Sequence, residues 1–318
     1  MIIYREDNEI LHKYLIISYG NDISTRSCQT SDFFEKSDVW SSLNPISMNH
    51  KIYLPGVKRV IVVASGKGGV GKTTVTVNLA LAMQRSGANV GIFDADIYGP
   101  NVPLMLGVHR RKASQGYMAM ARRKEALPYI QPLTRFGLKV MSIGLLVGED
   151  EVIDPARSPD AVGQLVVQTL KDVVWGELDY LFIDLPPSAG QPQASLVAHV
   201  PIDGVVIVTT PQDLSLLDAG RSLRLFQQGD IPILGIVENM SYFICPDCGQ
   251  RHEIFQRSDK WRPPNLEETP ILGRIPLTSV ISKGINKADP LMHEHPNDPV
   301  AAAFGEITAV IQKSLMRT

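Results

Sequence analysis

The stretch that decides the fold is "SGKGGVGKTT", Ser65 to Thr74. It fits G-x-x-x-x-G-K-[ST], with Gly66 first and Gly71, Lys72 and Thr73 last. A β-branched run (Val60 to Ser65) precedes it and a helical pattern (Thr74 to Arg85) follows, the context the motif requires. Glycine is needed at Gly66, Gly68, Gly69 and Gly71 because backbone N–H groups must wrap a polyphosphate closely, in conformations closed to most residues. With Val70 and Thr74 these residues form the candidate nucleotide-binding loop. Lys72 is expected on the β- and γ-phosphates and Thr73 on magnesium, with the helix dipole beneath them. A glycine-rich turn without a ligand is the plain alternative.

Outward from this loop, short apolar runs alternate with helical stretches. Strands are expected at Val90 to Phe93, Leu138 to Ser142, Tyr180 to Asp184, Gly204 to Thr209, Ile233 to Glu238 and Ile271 to Ile275. Helices are expected at Asp160 to Val174, Leu214 to Gln228 and Val300 to Leu315. Continuous apolar strands separated by helices imply an α/β fold, a P-loop NTPase with a mostly parallel β-sheet and helices on both faces. Residues 1–50 have no sustained period and read as a poorly structured extension, with 51–318 as the ATPase domain. Translation starting at Met48 is an alternative, which weakens Cys28 as a ligand.

Bulk properties narrow the partners. The chain has 318 residues, 44% of them hydrophobic, which suffices for a sizeable core. A net charge of -2 gives no global attraction to nucleic acid or anionic membrane, so neither partner is expected. Three cysteines make no disulfide framework and no apolar run is long enough to cross a bilayer, so a reducing cytoplasmic setting is expected. The segment His109 to Glu125 carries six Lys or Arg and reads as a solvated loop or a docking patch.

Carboxylates fall at strand ends, where parallel sheets bind ligands. "GIFDADIYGP" places Asp94 and Asp96 just past the second strand, and "YLFIDLPPSAG" places Asp184 after a later one. Capping of the following segment is the structural alternative. "ENMSYFICPDCG" then carries Cys245 and Cys248 as Cys-x-x-Cys, two ligands where a cluster or a zinc ion wants four. His252 makes only a third ligand, so zinc and a redox pair stay open beside a cluster.

The second loop lysine, Lys67, marks a resemblance to the deviant Walker A ATPases, which include MinD, ParA and the nitrogenase iron protein. With "DADIYGPNVP" and the Cys-x-x-Cys, the chain from about Leu54 onward resembles the Mrp (ApbC) iron-sulfur cluster carrier ATPases. The resemblance implies a homodimer sandwiching ATP, with Lys67 reaching the partner's nucleotide. It implies catalytic roles for Lys67, Lys72 and Asp96, magnesium held through Thr73 and Asp184, and adenine read by Asn239. It further implies one 4Fe-4S cluster held across the dimer by Cys245 and Cys248 of each chain, received from an assembly scaffold and passed to apo-proteins. Both cysteines lie in one loop, unlike the iron protein. A MinD- or ParA-like positioning ATPase with a zinc or redox Cys-x-x-Cys is the competing implication.

Three stretches depart from the family pattern. The run after the Walker B prolines is Ser188, Ala189, Gly190, Gln191, where a carboxylate is usual. "IDPARSPDA" stands for the usual Trp-Arg-Gly-Pro, and "IFQRSDKWRPP" lacks the expected glycine pair. Slow or altered hydrolysis is the expectation.

Overall fold

A computed structural model describes residues 51–97, 99–108, 130–145, 159–187, 191–245, 247–255 and 264–316. The extension at 1–50, the basic segment and the three departures at 153–158, 188–190 and 256–263 lie outside the described residues.

Eight strands form one sheet in the order β10-β7-β6-β1-β5-β2-β4-β3. They are β1 (Val57–Ser65), β2 (Val90–Asp94), β3 (Leu133–Arg135), β4 (Leu138–Ser142), β5 (Leu178–Asp184), β6 (Gly204–Thr209), β7 (Ile233–Glu238) and β10 (Ile271–Arg274). All neighbours are parallel except β3, which runs antiparallel to β4 at the edge. β8 (Phe243–Ile244) and β9 (Arg251–His252) make a separate antiparallel hairpin.

Strand alternation divides the core into two layers. Ile61 and Val63 of β1 face a layer built with α1 (Lys72–Arg85) and α9 (Pro299–Leu315). Val60, Val62 and Ala64 face the opposite layer, built with α3 (Pro159–Asp172), α4 (Gln191–His199) and α5 (Asp213–Gln228). Both faces of β1 are therefore covered, which is why its run is apolar without alternation. On α9 the buried set Ala301, Phe304, Ile307, Thr308, Ile311 and Leu315 follows the helical period and seats the helix on the sheet.

The central elements match the sequence expectation closely. β4, β6 and β7 have the expected bounds, and the long helices differ by at most two residues at either end. The unforeseen elements are short: the edge strand β3, the hairpin β8–β9, and helices α2 (Val102–Leu106), α4, α6 (Pro264–Glu267), α7 (Ser279–Asn286) and α8 (Leu291–Glu294). Asp94 corrects one boundary. It is the last residue of β2, paired with Asp184 and Ser142 on the neighbouring strands, rather than lying past the strand.

Candidate functional site

The carboxyl ends of β1, β2 and β5 open onto a cleft of about 490 Å³ lined by the whole loop from Lys67 to Thr74, with Asp96, Asn101 and Pro187. β1 sits between β5 and β6 at the point where the chain order reverses, the place where open α/β sheets bind ligands.

Loop geometry explains the glycines individually. Gly69 and Gly71 have φ of +81° and +84°, values that L side chains rarely adopt. Gly66 has an ordinary φ but no room: a Cβ there would lie 2.0 Å from the backbone carbon of Asp218 on α5. A Cβ on Gly71 would lie 2.3 Å from Asn239 Nδ2. The loop is thus pressed between α5 and the end of β7, and its last residue leads directly into the N-terminus of α1.

Beneath the loop lies a buried polar cluster. Lys72 Nζ is 2.7 Å from Asp184 Oδ2, with the two side chains 6% and 0% exposed. Thr73 Oγ1 donates to the same carboxylate oxygen at 2.7 Å, and Thr76 Oγ1 donates to Oδ1 at 2.6 Å. The Asp184 carboxylate is therefore fully engaged by three groups of one helix turn, and a buried charge so paired is tolerated. Thr76 was not singled out from sequence. Its position one helical turn beyond Thr73 was the available signal.

The second acid pair divides into a structural and a cleft-facing member. Asp94 is buried and accepts from the Asp96 N–H at 3.1 Å, the Val102 N–H at 3.3 Å and Ser142 Oγ at 3.0 Å. Val102 is the first residue of α2, so Asp94 anchors the helix that forms one cleft wall. Burial, reinforced by the charge of Asp184, pushes the Asp94 carboxyl up to about 8, against the opposing effects of Lys72 and its hydrogen bonds. Asp96 accepts from the Gly99 N–H at 3.2 Å and lines the cleft. Lys67 also lines it, its Nζ 3.5 Å from Gln212 Oε1 of the same chain. Asn239 donates from Nδ2 to the Val70 carbonyl at 2.8 Å, so its amide braces the loop from behind.

The cysteines stand apart from the cleft, at the turn of the β8–β9 hairpin. Cys245 and Cys248 are free thiols, half-buried and exposed respectively. The Cys245 N–H donates to the Gln250 carbonyl at 2.9 Å and the Gly249 N–H to the Cys245 carbonyl at 2.9 Å, closing the turn around them. Hydrogen bonds from the backbone N–H of Cys248, then that of Asp247, then the Cys248 side chain hold the Cys245 thiol below its ordinary range. His252 lies on β9 opposite Phe243, and among the described residues no three His, Cys, Asp or Glu side chains gather as a metal site.

Comparison with known proteins gives the family and the fold. A family model described as a NUBPL iron-transfer P-loop NTPase, in the ParA class, matches residues 56–312. Among curated proteins, an iron-sulfur cluster carrier protein of Aquifex aeolicus is 38% identical over 82% of this chain and 69% of its own length. Another of that description, from Deinococcus radiodurans, is 41% identical over 81% of this chain and 70% of its own. Among solved structures, a nucleotide-binding protein of Archaeoglobus fulgidus in complex with ADP has a TM-score of 0.59 and 33% identity, covering 73% of this chain and 87% of that one. The cell division ATPase MinD of Pyrococcus furiosus has a TM-score of 0.56 and 26% identity, covering 80% of this chain and 99% of that one. The chain belongs to the ParA-class family of iron-transfer P-loop NTPases.

Proposed function

We propose that this chain is an ATP-dependent carrier of a 4Fe-4S cluster, a cytoplasmic homodimer that receives the cluster from an assembly scaffold and passes it to apo-proteins. The observation that carries the reading is that the phosphate-binding loop and the thiol hairpin both follow carboxyl ends of parallel strands, β1 and β7, and that Asn239, bonded to the loop at Val70, lies six positions before Cys245.

The oxygens at the loop suit magnesium, because the Thr73 hydroxyl and the Asp184 carboxylate converge within 2.7 Å as hard donors. Bound there, magnesium supplies charge neutralisation for the phosphates. Lys72 is held by Asp184, so an incoming polyphosphate competes with a carboxylate for the ammonium. Asp96, facing the cleft, is assigned to orient the attacking water, and Lys67 to contact the nucleotide of the partner subunit. Asn239 is assigned to the adenine ring through the part of its amide not given to Val70.

The cluster is cargo. Thiolates suit iron-sulfur clusters, and four are needed where one chain brings two, so two chains share one cluster. Exposure of Cys248 makes the cargo accessible to an acceptor.

The test is transfer. Protein reconstituted with iron and sulfide under anaerobic conditions is mixed with an apo-enzyme that needs a 4Fe-4S cluster, with and without MgATP. Recovery of the acceptor's activity by the intact chain, and its loss in Cys245→Ala and Cys248→Ala, is expected. ATP-dependent binding to DNA or vesicles that survives both substitutions would instead favour a positioning ATPase.

A further inference from the structure

Asn239 is tied to the phosphate loop and also begins the segment that ends in the thiol hairpin. Its side chain is 5% exposed, donates to Val70 O at 2.8 Å and lies where a Cβ on Gly71 would have to sit. Its own N–H donates to Thr209 O at 2.8 Å, fixing it to β6.

The next residues leave little slack. Met240 turns the chain with a φ of +52°, a left-handed value rarely taken by a side chain of its size. The turn is closed by Ser241 Oγ, which donates to the buried Glu238 carboxylate, and Glu238 is in turn 3.3 Å from Arg274 Nε on β10. Ser241 N–H donates to Ile275 O at 2.8 Å, Leu277 N–H donates to Tyr242 O at 2.7 Å, and Phe243 of β8 bridges Leu277. From the Val70 carbonyl to Cys245 every step is a covalent or hydrogen-bonded link, without an intervening loose loop.

We propose that Asn239 is a positioning residue that couples the two sites, so that phosphate occupancy of the loop is felt at Cys245 and Cys248 through the turn Asn239–Ser241. Polyphosphate draws the N–H groups of the loop toward itself, and any shift of the Val70 carbonyl loads the Asn239 side chain that donates to it, one residue past β7. The Glu238–Ser241–Arg274 cluster makes the turn a rigid lever rather than a spring. The inference rests on the reading above only in that the loop must bind phosphates.

Thiol reactivity with a small alkylating agent reads the hairpin, and inorganic triphosphate with magnesium is the probe, because it has no base for Asn239 to contact. Binding is measured separately by calorimetry. In the intact chain saturating triphosphate is expected to change the alkylation rate by about fivefold or more. In Asn239→Ala and in Ser241→Ala the bound and free rates are expected to coincide within about 1.5-fold, a near-complete loss of that coupling. Ser241→Ala touches neither the loop nor the thiols, so its triphosphate affinity should match that of the intact chain while its coupling is lost. Triphosphate that binds the intact chain without altering alkylation, or a response that survives in both variants, overturns the proposal. Failure of triphosphate to bind at all overturns the nucleotide assignment beneath it, an outcome calorimetry separates from the others.

Discussion

The phosphate loop and the thiol hairpin both follow carboxyl ends of parallel strands, β1 and β7, but are built to opposite standards. At the loop Asp184 is wholly buried, three donors from one helix turn converge on it, and α5 and Asn239 close in from two sides. At the hairpin two strands of two residues each carry Cys248 fully in reach of solvent. The nucleotide site is over-determined by packing because its chemistry depends on fixed geometry. On the proposed function, the accessible position of Cys248 lets a cargo arrive and leave.

Breaking the buried pair should have the largest effect. Lys72→Met leaves Asp184 charged and buried without its cation, and should cost about 3–5 kcal/mol in denaturant unfolding. Nucleotide hydrolysis should fall ~100-fold or more in the same variant. A Lys72→Met protein of unchanged stability would show that the pair is not as sequestered as its geometry implies.

The acid beside it provides a pH signature. Asp94 has its carboxyl raised from 3.8 to about 8 in the folded state, so the native protein binds a proton there that the unfolded chain has already lost. Its contribution is therefore fully present below the unfolded value and is lost as pH rises through about 8. Thermal unfolding should show stability falling between about pH 4 and about pH 8 more steeply in the intact chain than in Asp94→Asn. Parallel pH profiles for the two would remove Asp94 as the source.

A smaller loss is expected where the loop meets α5. The added methyl of Gly66→Ala collides with the Asp218 backbone, so helix or loop must move, at about 1–3 kcal/mol. Calorimetry should show weaker triphosphate binding as well. The hairpin should be least sensitive: Cys245→Ser with Cys248→Ser should change unfolding by no more than about 0.5 kcal/mol, because neither thiol belongs to the core. A larger loss would mean that the hairpin contributes to folding and would erase the contrast.

The contrast also governs what could be read from sequence. β6 and β7 carry unbroken apolar runs because both faces are covered, and such runs locate themselves. The positions of the loop and its acids were legible because the motif fixes residue types at fixed spacing, and Lys72, Thr73, Asp96 and Asp184 lie together around one cleft or beneath it. The contact between Asn239 and Val70 was not legible, because it leaves no local pattern. Nor were Ser142 and Gln212, whose partners Asp94 and Lys67 are distant in sequence. The hairpin strands are too short to carry a period of two.

The most direct test of the account is the native mass of protein reconstituted with iron and sulfide without oxygen. The account predicts a species of two chains carrying one cluster, with about four irons per pair of chains, absent from Cys245→Ala and from Cys248→Ala. A single chain holding metal on its own, or a metal-bearing species that persists in both variants, would contradict it.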